Sequence, residues 1–257
     1  MAIPVYAGAG AGADFGGATT GNAPYPASIA AGDTLVLQLV NQSSGTTPAL
    51  TTPSGWTEIG SVAASNGGPG VSQRCWVLPS AVGTESGSLA LTGMSASTAK
   101  SARIYRFTGA SNVESAANQL DSSGTTTTVN DCDITTTGAD RLVVNVLAIN
   151  NNDAIGAFSG MTGGTWVEAG AEYQNTGNVM ELQLQTADKA AAGTVGGGTL
   201  GITTAAHWVV QGFALTPAAS GTTVNAAVGI ANASAVTPSF NALVPTIVRN
   251  ITLNLSP

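Results

Sequence analysis

Charge is the first thing this sequence lacks. Only 8% of its 257 residues are Asp, Glu, Lys or Arg, against roughly 25% in ordinary soluble domains. Seven Lys and Arg stand against fourteen Asp and Glu, a net charge of −7, and the cations gather nowhere beyond Lys100, Arg103 and Arg106. A nucleic-acid interface needs a basic surface to displace counterions from phosphates, so that class is excluded. One histidine and two cysteines cannot supply a tetrahedral His/Cys metal site. No run approaches the roughly 20 apolar residues of a membrane-spanning helix. The start, Met1-Ala2-Ile3-Pro4-Val5, has neither a basic region nor a continuous apolar stretch. No signal peptide is therefore expected, and synthesis is expected in the cytoplasm of the producing cell.

What is present is small, polar and β-forming. Gly alone contributes 33 residues, with Ala, Thr, Ser and Asn filling most of the rest. Ser, Thr and Asn compete for backbone hydrogen bonds, and each Gly costs a helix about 1 kcal/mol, so helices are disfavoured. Short strands joined by tight turns suit the same composition. With 43% apolar residues the chain buries surface rather than remaining disordered. A unit of about 215 residues can bury roughly 70% of its extended-chain surface, enough for a core without staples. The expected class is all-β.

One strand organises the rest. Ala31-Gly32-Asp33 makes a corner, and Thr34-Leu35-Val36-Leu37-Gln38-Leu39-Val40 then alternates, with the three leucines on one face. The pattern returns at Asp140-Arg141-Leu142-Val143-Val144-Asn145-Val146-Leu147. Here Leu142, Val144 and Val146 are expected in the places of the leucines, and Asn145 in that of Gln38. Other landmarks repeat in the same order. Ser54-Gly55-Trp56-Thr57-Glu58 is answered by Gly164-Thr165-Trp166-Val167-Glu168. The strand around Trp76 is answered by Met180 to Thr186, and the strand through Phe107 by His207 to Ala214. These matches predict an internally duplicated antiparallel β-sandwich, jelly-roll-like, with halves at about 24–110 and 131–217 interleaved in one unit. Residues 1–23, rich in Gly and Ala, read as an N-terminal arm in which Val5 and Tyr6 begin an edge strand. Residues 111–139 read as a polar bridge.

The end of the chain changes character. From Thr222 to Pro257 the only aromatic is Phe240 and the only charge is Arg249. Val224, Ala226, Val228 and Ile230 alternate, as do Ile247, Arg249, Ile251, Leu253 and Leu255. Thirty-six residues of this kind are too few for an independent β domain. Residues 218–257 are expected to be an extended β arm that docks on another chain or packs back on the sandwich.

No catalytic constellation emerges. His207, the lone histidine, lies beside Trp208 with no nucleophile elbow. Glu58 and Glu168 are candidate glycosidase carboxylates, but their equivalence in the repeat argues against different acid and base roles. Asp131-Cys132-Asp133 and Asn150-Asn151-Asn152-Asp153 offer oxygens without the spacing of a calcium loop; Asx turns explain both. Asp33 and Asp140 read as turn formers. Cys75 reads as a buried thiol, and its pairing with Cys132 stays open. No catalytic residue, metal or cofactor is expected. Ligand-binding candidates are Tyr25, Tyr105 and Tyr173, which would stack on sugars if exposed, with Trp76 or Trp208 joining them if turned outward.

The Pro24-Tyr25-Pro26 approach, Ala31 to Leu37, the Pro53-Ser54-Gly55-Trp56-Thr57 turn and the strand Ala102 to Phe107 resemble tailed-bacteriophage virion-surface β-sandwich proteins of the tail-fibre or head-decoration type. The resemblance covers roughly residues 24–217. Val224-Asn225-Ala226-Ala227-Val228-Gly229 and Ala235-Val236-Thr237-Pro238 also look like phage fibre repeats. The resemblance implies a non-enzymatic structural protein on the virion surface. It would be a tail-fibre or appendage component with host-glycan adhesion, or a capsid decoration protein. Expected partners are copies of itself, a trimer among the options, other virion proteins reached through the C-terminal segment, and host surface glycans. A free carbohydrate-binding module and a glycan depolymerase are the readings from other classes.

Overall fold

Runs of Leu, Val and Ile closed by Gly-containing turns give strands. In the computed structural model every helix or strand among the described residues is a strand. Described are residues 1–219 without 43–45, 65–69, 97–98, 122, 152, 170–171 and 176–179. They belong to one compact unit, Met1–Ser220. The docking arm expected at 218–257 lies outside the described residues from Ser220 onward.

In order the strands are β1 (Val5–Ala9), β2 (Ala13–Asp14), β3 (Thr20–Pro24), β4 (Thr34–Gln42), β5 (Thr57–Ala64), β6 (Val71–Leu78), β7 (Ser88–Thr92), β8 (Lys100–Thr108) and β9 (Ala110–Asp121). There follow β10 (Thr128–Asn130), β11 (Ile134–Thr136), β12 (Arg141–Ile149), β13 (Val167–Glu168), β14 (Tyr173–Asn175), β15 (Met180–Lys189), β16 (Gly193–Val195), β17 (Thr199–Gly201) and β18 (Trp208–Pro217). All pairings are antiparallel. The first large sheet runs β1-β8-β4-β6-β5, and the second runs β9-β18-β12-β15-β13. Position by position these are one order written twice. Small two-stranded sheets, β3 with β7 in the first half and β10 with β17 and β11 with β16 in the second, complete the set.

The fold is an all-β sandwich, and its repeat begins earlier than the hydrophobic pattern indicated. Residues 1–23, expected as an arm, carry β1, β2 and most of β3, with β1 and β2 both paired to β8. The stretch read as a polar bridge contains β9, twelve residues long, which holds in the second sheet the edge place that β1 holds in the first. Strands from the two halves do not interleave within a sheet. Each half builds its own large sheet and small cover, and the large sheets then meet face to face.

That arrangement makes three layers of core. Between the large sheets lie Val36, Val77, Tyr105 and Phe107 against Val144, Val146, Leu184 and Phe213, continued by Val40, Val62, Ala148 and Val209. On the far side of the first sheet, Leu35, Leu37, Leu39, Trp56, Trp76 and Ile104 pack beneath Leu91. On the far side of the second, Val143, Leu147, Ile149, Trp166 and Trp208 pack beneath Val129, Ile134 and Leu200. Trp56 and Trp166 therefore occupy matching private cores, and Phe107 and Phe213 share the common one.

The central strands overturn one register expectation. Leu142, Val144 and Val146 belong to the interior between the sheets, like Val36, not to the outer core of the three leucines. Asn145 falls on the opposite face, so it is no counterpart of Gln38. A slip of one residue exchanges the faces of a strand. β12 is buried on both faces along almost all its length, so its apolar run carries no signal to set that register.

Polar groups fix the two sheets against each other. Tyr105 Oη donates to Gln38 Oε1 at 2.7 Å. Gln38 Nε2 donates to Gln73 Oε1 at 2.9 Å and to the Leu147 carbonyl at 3.0 Å. Gln73 Nε2 donates to the Val146 carbonyl at 3.0 Å. Two amides of one sheet thus engage the central backbone of the other, and sliding the halves would leave them unpaired at about 1–3 kcal/mol each.

Candidate functional site

The three tyrosines expected to stack on sugars do not form one surface. Tyr105 is fully buried between the sheets, where its hydroxyl serves the glutamine network, so it offers no face to a ligand. Its place on β8 opposite Val36 turns it to the shared interior. Tyr25 is half-buried against the outer core of the first half. Tyr173, on β14, is half-buried too and lays its ring on Gly12, where a Cβ would fall 2.1 Å from the ring. Only glycine permits that approach. Trp56, Trp76, Trp166 and Trp208 are all buried, so no tryptophan turns outward.

The carboxylates and asparagines singled out in the sequence mostly hold loops. Glu58 pairs with Arg74, which keeps its carboxyl below the usual glutamate range. Glu168 sits on β13, in the other sheet. Asp131 accepts from Trp166 Nε1 at 2.7 Å and from the Gly198 N–H at 2.8 Å, and Asp133 accepts from the Gly197 N–H at 2.9 Å. Asn151 and Asp153 close an Asx turn and hold Thr204. Asp33 caps the Ala30 turn and pairs with Arg106 at 2.8 Å, while Asp140 takes a positive φ of 59°; both form turns. Among the described residues no three His, Cys, Asp or Glu side chains converge as metal ligands. His207 stands just before β18, its Nδ1 3.3 Å from the Asp121 carbonyl.

Sequence reasoning missed a buried polar cluster on β15. Glu181, Gln183 and Gln185 face away from the shared interior and are covered by the Ile155–Phe158 segment and Glu172. Gln183 Nε2 donates to the Ile155 carbonyl and to Glu172 Oε1. Gln185 Nε2 donates to the Gly156 carbonyl, and its Oε1 accepts the Phe158 N–H. Glu181 is fully buried; burial first, then the Glu172 carboxyl, pushes it up to about 9. A neutral Glu181 can donate to Glu172. A carboxyl pair holding one proton is suited to acid–base work, but no substrate can touch a carboxyl enclosed in this way.

Two grooves open where the large sheets end. One, of about 300 Å³, lies between β5 and β9 and is lined by Ile59, Val77, Pro79 and Val113 among others. A bulge in each strand lies against it. β5 shifts register between Glu58 and Gly60, and in β9 the extra residue is Ser115, at φ 51°. The other, of about 340 Å³, lies between β1 and β13 and is lined by Val5, Tyr6, Leu142, Val167, Glu168 and Asp188 with their neighbours. Val5 is 59% exposed and Val167 60%, so two of the five large exposed apolar side chains of the described residues flank this groove. Glu168 and Asp188, on its rim, take part in no ion pair among the described residues. Lys189 instead donates to the Gly163 and Thr194 carbonyls.

The thiols give a direct check on the layering. Cys75 lies between the sheets and Cys132 in the outer core of the second half; both are free and buried. Burial raises both, Cys132 to about 12. Native protein is expected to resist a thiol reagent that labels both cysteines in denaturant; rapid labelling of either before unfolding would contradict their burial. Compared with known proteins, the chain matches no family model, no curated protein and no solved structure.

Proposed function

We propose that this chain is a non-enzymatic structural protein on the exterior of a tailed-phage particle, a tail-fibre or appendage component that assembles through its C-terminal segment. The observation that carries the reading is how its chemistry-bearing side chains are used. Tryptophans fill cores, most carboxylates cap turns or meet arginines, and Gln38 and Gln73 bind the two sheets, so a low-charge scaffold results. An apolar segment with a single charge follows it in sequence, and the resemblance of residues 24–217 points the same way. Host-glycan adhesion would then rest on loops and on the half-buried Tyr25 and Tyr173.

Capsid decoration is the second reading, and the burial of Tyr105 and all four tryptophans favours it. Aromatic stacking is a main device of sugar recognition, and that platform is missing among the described residues. The same burial weighs against a free carbohydrate-binding module. Particles made without this chain separate the roles. Intact heads with failed adsorption are expected for an appendage; heads that burst more readily mark a decoration protein. Absence of the chain from purified particles would overturn both.

Deleting 222–257 is expected to leave the sandwich folded and abolish self-association. Sedimentation of the truncated chain checks this, and a truncated chain that still associates would exclude the segment as the assembly element.

A further inference from the structure

The groove between β1 and β13 has the features of a strand acceptor. Among the described residues β1 hydrogen-bonds to β8 alone, and β13, only two residues long, to β15 alone. Two strand edges therefore flank a groove of mixed character whose apolar side chains include Leu142 and Tyr6. Exposed valines on an open edge invite pairing with another chain unless something covers them.

The sequence contains a segment that matches this groove and its rim. In 247–255 the residues Ile247, Arg249, Ile251, Leu253 and Leu255 share one face of an extended strand. Four are apolar and one is the only cation between Thr222 and Pro257. Such a strand laid in the groove would set its apolar side chains on Val5, Leu142 and Val167. Arg249 would meet Glu168 and Asp188, which no arginine or lysine of the described sandwich engages. The groove between β5 and β9 lacks this complementarity, because its carboxylate, Glu58, already has Arg74.

The path of the chain fits the same assignment. The Ala218 N–H donates to the Gly109 carbonyl at 2.7 Å, and a Cβ on Gly109 would stand 4.0 Å from the Cα of Pro4, a lining residue. The chain thus leaves β18 beside the groove. The residues 220–246 span at most about 97 Å when extended, enough to cross to a neighbouring copy placed groove to groove.

We infer that the β1–β13 groove accepts the 247–255 segment of a second copy of this chain as an added strand, with Arg249 of that copy paired to Glu168 and Asp188. The inference rests on the proposed assembly through the C-terminal segment and supplies its receiving surface. The mode is strand addition, in which main-chain bonds give affinity and alternate side chains give register.

Mass measurements on the full-length chain over a concentration series test it. The double variant Val5→Asp, Val167→Asp is expected to weaken association about tenfold or more while its urea midpoint stays near that of the parent, since both valines are already exposed. Arg249→Glu is expected to weaken association, and adding Glu168→Lys and Asp188→Lys to it to restore association. Unchanged association in the valine variant, or no rescue by the charge exchange, would overturn the groove assignment. If deletion of 222–257 abolishes association while the groove variants leave it intact, the assembly segment stands and its seat lies elsewhere. If deletion changes nothing, both fall.

Discussion

Replacing Trp166 with alanine is expected to remove about 3–5 kcal/mol of stability, a large part of the 5–15 kcal/mol that holds a typical domain. The ring is buried in the private core of the second half and stands 6.3 Å from Phe158, centroid to centroid. Its Nε1 also donates to Asp131. Burial raises the Asp131 carboxyl, and the Trp166 and Gly198 donors work against that rise. Trp166→Ala leaves a cavity and strips one donor from a buried acid. Trp166→Phe keeps most of the apolar contact and loses only the hydrogen bond, at about 1–3 kcal/mol. Trp56→Ala, in the matching core of the first half, serves as the parallel measurement. Urea midpoints of the three variants rank these effects. A Trp166→Ala protein within about 1 kcal/mol of the parent would contradict the packing described.

A pH dependence on the alkaline side is the second large effect. Burial, then Glu172, keeps Glu181 protonated in the folded chain up to about pH 9, whereas an ordinary glutamate ionises near 4.5. Between those limits the folded state holds a proton that the unfolded chain has released. Stability is therefore greatest below the unfolded pKa, falls as pH rises through the window by at most about 1.4 kcal/mol per pH unit, and levels off above the folded pKa. Glu181→Gln keeps a donor for Glu172 and removes the titration. The variant is expected to match the parent near pH 4 and to be the more stable near pH 8, with a flatter profile between. Urea unfolding at both values measures this; parallel profiles would rule it out. On the acid side Asp121 behaves in the opposite sense. Burial pushes it up, but hydrogen bonds from Ser123 and Thr126 prevail and hold it at about 2. Its contribution is fully present above the unfolded pKa near 3.8 and is lost as pH falls from there through about 2.

What was legible in the sequence follows from how strands encode their surroundings. β4, β6, β8 and β18 carry leucines, valines and large rings that mark a buried strand wherever it lies. Trp56 and Trp166 identified the repeat because few residues of that size occur. β9 was missed because an edge strand exposed along most of its length, Ser111-Asn112-Val113-Glu114-Ser115, looks like a connection. Val5 and Tyr6 marked the start of β1, whereas β2 was hidden in Gly and Ala, which pack closely but carry no hydrophobic signature. The register of β12 was unreadable because both its faces are interior. Glu181, Gln183 and Gln185 alternate with Met180, Leu182 and Leu184 as a half-wet strand would, and nothing local shows that Ile155 to Phe158 cover them. The site candidates fared according to exposure. Tyr105 reads like Tyr25 in sequence, yet Tyr105 lies on β8, flanked by β1 and β4, whereas Tyr25 lies just past the end of β3.

Face-to-face stacking of the two large sheets has a consequence beyond this chain. Val36 and Phe107 meet Val146 and Phe213 across the middle, so matching surfaces of the two halves touch each other, as they do in an isologous contact between identical subunits. A polypeptide of half this length would expose that whole apolar face and could hide it only by pairing with its twin. The joint at Gly109, where β8 passes into β9, therefore lets one chain cover what two separate halves could cover only by pairing, with Tyr105, Gln38 and Gln73 facing inward from one side and Gln211 from the other.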